Sequence, residues 1–152
     1  MRIWLLPFLI IRTISPTIGQ LNATDWFDVG ETLYNQERYS DSIQAYDNAI
    51  KIDQQFAEAW NNKGIDLGML GEYEKAFQAF STAVAINSTY AEAWYNMGVI
   101  FDLVHDYDSA MQAYDRAIGI NPSYQKALIN RNSDIDIIAN IWPNWENYWV
   151  QV

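Results

Sequence analysis

The chain has 152 residues, half of them hydrophobic and 15% aromatic, with a formal net charge of -10 and no cysteine. This is enough apolar material for one elongated domain, and it excludes a disordered acidic tail, a disulfide scaffold and a thiol nucleophile. Nucleic acid is excluded as a partner too, because a phosphate backbone needs clustered Lys or Arg and the few here are scattered.

The chain starts with Arg2, an apolar run from Ile3 to Ile11, and a polar stretch with small residues at Thr17 and Gly19. That is the layout of a secretory signal peptide, so residues 1–19 are expected to be a leader cleaved before Gln20. The protein would then be extracellular or at the cell surface; the alternatives are an uncleaved membrane anchor and a disordered cytoplasmic leader. The run is far shorter than the roughly twenty residues that cross a bilayer. Sequons at Asn22 and Asn87 are predicted in turns and matter only after export, whereas Asn121 is followed by Pro122 and is excluded.

From Ala23 onward, apolar residues recur at helical three-four spacing. Between Ala91 and Tyr124, one set is Ala91, Trp94, Met97, Gly98 and Phe101, and a second is Tyr107, Ala110, Met111, Tyr114, Ala117 and Ile118. Sliding the chain over itself until Trp26 falls on Trp60 also brings Trp60 onto Trp94, and aligns Gly30, Gly64 and Gly98; Tyr39, Tyr73 and Tyr107; Tyr46, Phe80 and Tyr114; Ala49, Ala83 and Ala117. No gap is needed, and a fixed period of this length marks a repeat architecture. Three helix pairs are predicted, at 23–56, 57–90 and 91–124, joined by turns short enough for antiparallel neighbours. The three glycines fall where a large side chain of the paired helix must enter. Beyond Tyr124, Ala127, Leu128, Arg131, Ile135 and Ile138 keep the helical spacing without the aromatic signature, which predicts a capping helix over 125–141 that covers the last pair. It should end near Ile141, since Pro143 disfavours helical geometry at Trp142.

The order Trp, Gly, Tyr, Ala, Phe or Tyr, Ala, Pro resembles the tetratricopeptide repeat, in the style of archaeal and bacterial members, over Ala23 to Tyr124. It departs at Lys63 and Met97, where Leu is usual, at Ser42 for Ala, and at Gln54 and Ser88 for Pro. The resemblance implies an all-α, right-handed superhelical solenoid of antiparallel helix pairs with a C-terminal capping helix. It also implies a non-catalytic protein–protein interaction module or scaffold, whose concave groove, lined by the first helix of each pair, holds a peptide segment of a partner. The positions so implied are Thr24, Phe27, Asp28, Glu31, Tyr34 and Asn35; Glu58, Asn61, Asn62, Ile65 and Met69; Glu92, Tyr95, Asn96, Val99 and Asp102. Asn62 and Asn96 would bond a peptide backbone, having both donor and acceptor. Phe27, Tyr34 and Tyr95 would be apolar anchors. The acidic residues favour a neutral or basic ligand. Family members that clamp a terminal carboxylate use Lys, Asn, Asn, Lys and Arg where this chain has Phe27, Glu31, Asn62, Glu92 and Asn96, so an acidic C-terminal tail is not the expected ligand.

Nothing in the sequence carries catalysis: no nucleophile elbow, phosphate-binding glycine loop or zinc-ligand spacing occurs. The one histidine, His105, sits among Asp102, Asp106 and Asp108, but without a calcium-loop signature, so it reads as part of a polar turn rather than a metal site. No cofactor, metal or small-molecule substrate is expected. Residues 142–152 form an aromatic tail. Trp142, Trp145, Tyr148 and Trp149 would fold back over the capping helix, or else drive self-association, contact a partner or meet a membrane interface. The structural alternative to the interaction module is self-assembly through this tail.

Overall fold

The computed structural model describes residues 21–141 as seven α-helices: α1 (Ala23–Tyr34), α2 (Tyr39–Ile52), α3 (Ala57–Met69), α4 (Tyr73–Ile86), α5 (Ala91–Leu103), α6 (Tyr107–Ile120) and α7 (Gln125–Ile141). The leader and the aromatic tail lie outside the described residues. Among the described residues there is no strand, and no helix is long and apolar enough to cross a membrane.

Helix ends follow from local chemistry. Asn22 caps α1: its side-chain oxygen accepts the Asp25 N–H at 2.9 Å while the Asp25 carboxylate accepts the Asn22 N–H at 3.0 Å, a capping box. The second helix of every pair stops the same way. Asp53, Asn87 and Asn121 leave the helical region, and the side-chain oxygen of each accepts the N–H two residues on, at 2.9, 3.1 and 3.1 Å. Inside each pair the turn needs one left-handed residue, supplied by Glu37, Gly71 and His105 with φ of 59, 76 and 62°. Only Gly71 adopts it without a Cβ penalty.

Each pair is locked by a ring on a glycine. A Cβ on Gly64 would stand 2.7 Å from the Phe80 ring, and those on Gly30 and Gly98 would come still closer to Tyr46 and Tyr114. The three rings and Ala49, Ala83 and Ala117 are essentially inaccessible to solvent. Successive pairs then stack, each helix packing on its chain neighbours, with a smaller contact between α3 and α5. The indole N–H groups of Trp60 and Trp94 tie the second and third pairs to the turns before them, donating to the carbonyls of Gln54 and Ser88 at 3.3 and 3.2 Å.

The departures from the repeat pattern are absorbed locally. Lys63 pairs with Asp47 at 2.6 Å and lies over the Trp60 ring, and the buried Ser42 hydroxyl donates to the Gly30 carbonyl at 2.8 Å. The chain thus forms the all-α solenoid of antiparallel pairs that its period predicts, and α7 packs on α6.

Candidate functional site

Residues three apart on a helix share a face, so α1 presents Glu31 with Tyr34, and α3 presents Asn62 with Ile65. These four, with Asn35, Tyr46 from α2 and Glu92 from the first turn of α5, line a cavity of about 320 Å³. Six of the sixteen candidate positions therefore meet: Glu31, Tyr34, Asn35, Asn62, Ile65 and Glu92. Glu58 is exposed at the start of α3 and does not line the cavity.

Thr24, Asp28 and Met69 are exposed outside the cavity as well, whereas several other candidates serve the packing. Phe27 is half-buried, stacked on Phe56 with centroids 4.9 Å apart and tilted against Tyr46 at 5.6 Å. Tyr95 lies between Tyr114 and Tyr124, at 5.7 and 5.2 Å, and Val99 packs against the same cluster. These rings offer a ligand an edge rather than a free face. Asp102 is half-buried and accepts the Tyr114 hydroxyl.

Asn61 corrects the sequence expectation. It does not face the groove: it is fully buried. Its carboxamide joins two candidates, accepting the Asn96 amide at 3.0 Å and donating to the Asn62 oxygen at 3.2 Å. The physical reason lies on α4. Where the second helix of a pair brings a tyrosine, the asparagine of the following helix lies beside its hydroxyl, Asn62 at Tyr46 and Asn130 at Tyr114, the latter donating at 3.3 Å. The second pair brings Phe80, which has no hydroxyl, so Asn96 turns to Asn61 instead. Sequence reasoning does not single out Asn130, although its register with Asn62 and Asn96, one repeat further along, is the available signal.

The tyrosines of this face stay neutral donors. Burial raises the pKa of Tyr46, with Asp66 and Glu31 adding to the effect while the neighbouring Ser42 and Asn62 side chains oppose it. Burial raises Tyr114 far above its ordinary value, reinforced by Asp102, and burial with the charge of Glu92 pushes Tyr124 up to about 12. The face thus combines neutral hydroxyls, carboxamides and exposed carboxylates, suited to binding by hydrogen bonds and charge. Among the described residues no three His, Asp or Glu side chains converge as a metal site. His105 is exposed in its turn, with Nδ1 3.0 Å from the Tyr107 hydroxyl.

Family models match most of the repeats: tetratricopeptide repeat over residues 91–124, and TPR repeat over 30–65 and 69–102, together more than half of the chain. No curated protein matches the sequence. Solved structures do. The first TPR of Spaghetti (RPAP3), bound to the HSP90 peptide SRMEEVD, is similar with a TM-score of 0.75 at 20% identity, over 77% of this chain and 93% of that one. MamA gives 0.72 at 26% identity, over 75% and 67%. YrrB, described as a TPR protein with an unusual peptide-binding site, gives 0.70 at 24% identity, over 75% of this chain and 59% of that one.

Proposed function

The chain belongs to the tetratricopeptide repeat family, a family of protein-interaction modules, and we propose that it holds an extended, neutral or basic segment of a partner protein along its first helices. The observation that carries this reading is the cavity with Glu31 and Glu92 in its lining and Asn62 beside them. Two carboxylates attract an ammonium or guanidinium group, and Ile65 and the Tyr34 ring suit the methylene stem behind it. Asn62 and Asn96, each held by Asn61, supply one donor and one acceptor to a peptide backbone. Catalysis has no part in this reading; the chain is a scaffold.

The ligand is opposite in charge to the peptide held by Spaghetti, SRMEEVD, which is acidic at its end. Glu31 and Glu92 would repel it. A fluorescence-polarisation screen of labelled peptides that differ only in Lys and Arg content should show tighter binding of basic members, weakening as salt is raised. A Glu31→Gln, Glu92→Gln double variant should lose about tenfold in affinity for them, about 1.4 kcal/mol. Equal binding of SRMEEVD, or an unchanged affinity in the double variant, overturns the reading.

Exposed apolar residues support a second reading, self-association. Met69 and Leu70 at the end of α3, and Leu103 and Val104 at the end of α5, are 42–57% exposed at equivalent places. Trp142, Trp145, Tyr148 and Trp149, outside the described residues, are the second set of apolar side chains on which this reading draws. Sedimentation of the chain ended at Asn140 tests it: an oligomer that persists without the tail removes the tail from the account. We also read residues 1–19 as an export signal, for which recovery of a protein beginning at Gln20 from the medium is the check.

A further inference from the structure

One place in each helix pair faces the pair before it. In the third pair it is Ile100, 6% exposed, packed with Leu67, Ala76, Ala79 and Phe80 of the second pair and touching the open side of Gly68. At the same place one repeat earlier and one repeat later stand Asp66 and Asp134, 0% and 3% exposed. The middle junction is sealed by a hydrocarbon; the two outer junctions enclose carboxyl groups.

Neither carboxyl is neutralised by its surroundings. Both oxygens of Asp66 are enclosed without a hydrogen-bond partner among the described residues, and the nearby Ser42 hydroxyl is engaged by the Gly30 carbonyl. From α2 it faces Ser42, Tyr39 and Tyr46; beyond Tyr46 stands Glu31 of α1; no charged group of α4 or α5 acts on it. Lys63, on its own helix, is engaged with Asp47. Asp134 faces Asp102 of α5 and Tyr114 of α6, with one oxygen of each carboxyl left unpartnered. Arg131 beside it turns to Asp115. A buried carboxylate without a counter-charge is costly, and two in contact cannot both be ionised without a further penalty.

We propose that Asp66 and Asp134 make the two outer junctions of the solenoid proton-sensitive, firm when the carboxyl is protonated and loosened when it ionises, while the junction on Ile100 is indifferent to pH. The direction of linkage follows from the shifts. Burial, partly opposed by Ser42, pushes Asp66 up to about 6; burial, then the charge of Asp102 and the hydrogen bond with it, pushes Asp134 up to about 7. Folded values above the unfolded one mean that the folded chain binds the extra protons. Their stabilisation is complete below the unfolded value of 3.8, declines as pH rises, and is lost through about 6 at the first junction and about 7 at the last.

Thermal melts of the full chain between pH 5 and pH 8, beside Asp66→Asn and Asp134→Asn, test this. The melting temperature of each variant relative to the parent should rise by roughly 5 °C from pH 5 to pH 8. A gap that stays constant across the range overturns the proposal. Should a variant not fold, amide exchange of the parent decides, once corrected for the intrinsic pH dependence. Protection should fall first in α7 and at the α2–α3 contact, ahead of α4 and α5, and a uniform fall also overturns it.

Discussion

The contact inside a helix pair and the contact between pairs are built on different rules. Inside, one device is used three times: Tyr46, Phe80 and Tyr114 each enter the space left by Gly30, Gly64 and Gly98. Between pairs the corresponding places differ, with Asp66, Ile100 and Asp134 at one position and a tyrosine–asparagine bond replaced by the Asn96–Asn61 bond at another. The repeated contact builds each pair, and the varied one gives each junction its own chemistry.

This contrast breaks most visibly at the glycines. Gly98→Ala forces a Cβ into the Tyr114 ring and should cost about 3 kcal/mol in urea unfolding. Gly119→Ala, in the same solenoid but with nothing within 4 Å of the new Cβ, should instead gain roughly 0.5 kcal/mol. Similar costs for the two would mean that the ring does not lock the pair. At the varied contact, Asn61→Ala strips Asn96 of its acceptor and should cost about 2 kcal/mol by the same assay. An equal loss from Asn96→Ala, with no further loss in the double variant, would assign the whole effect to that bond.

Tyr114→Phe gives the last junction the ring type of the middle one. It deprives Asp102 of its donor and Asn130 of its acceptor, so a loss of about 1 kcal/mol is expected. The smallest effect concerns the turns: Glu37→Gly and His105→Gly relieve a left-handed residue and should each stabilise by about 0.7 kcal/mol, while Gly71→Ala does the reverse.

How much the sequence reveals follows the same divide. The pairs are legible because their contacts recur with every repeat, so the glycine and its ring can be matched by alignment of the chain with itself. The junctions are not. Asn61 adjoins Asn62 and looks like a groove residue; its burial depends on Phe80 lacking a hydroxyl, a property of another helix. Asp66 and Asp134 read as surface carboxylates, since a charged residue on a helix is usually solvated, and only the packed neighbour reveals otherwise. In the groove, Glu31, Tyr34, Asn62, Ile65 and Glu92 come together in one cavity, whereas Phe27 and Tyr95 are drawn into aromatic stacks that their residue types alone do not announce. Glu37 and His105 give no local sign of a left-handed backbone; their register with Gly71 does.

On α7, at the place that matches Gly98 in the pair before, stands the exposed Asn132. At each earlier floor that place is an empty socket, and a ring fills it. Here the socket is plugged, so a helix laid beside α7 would find nowhere to seat its ring. Asn132→Gly would reopen the socket, and grafting another storey onto α7 would begin with that one substitution.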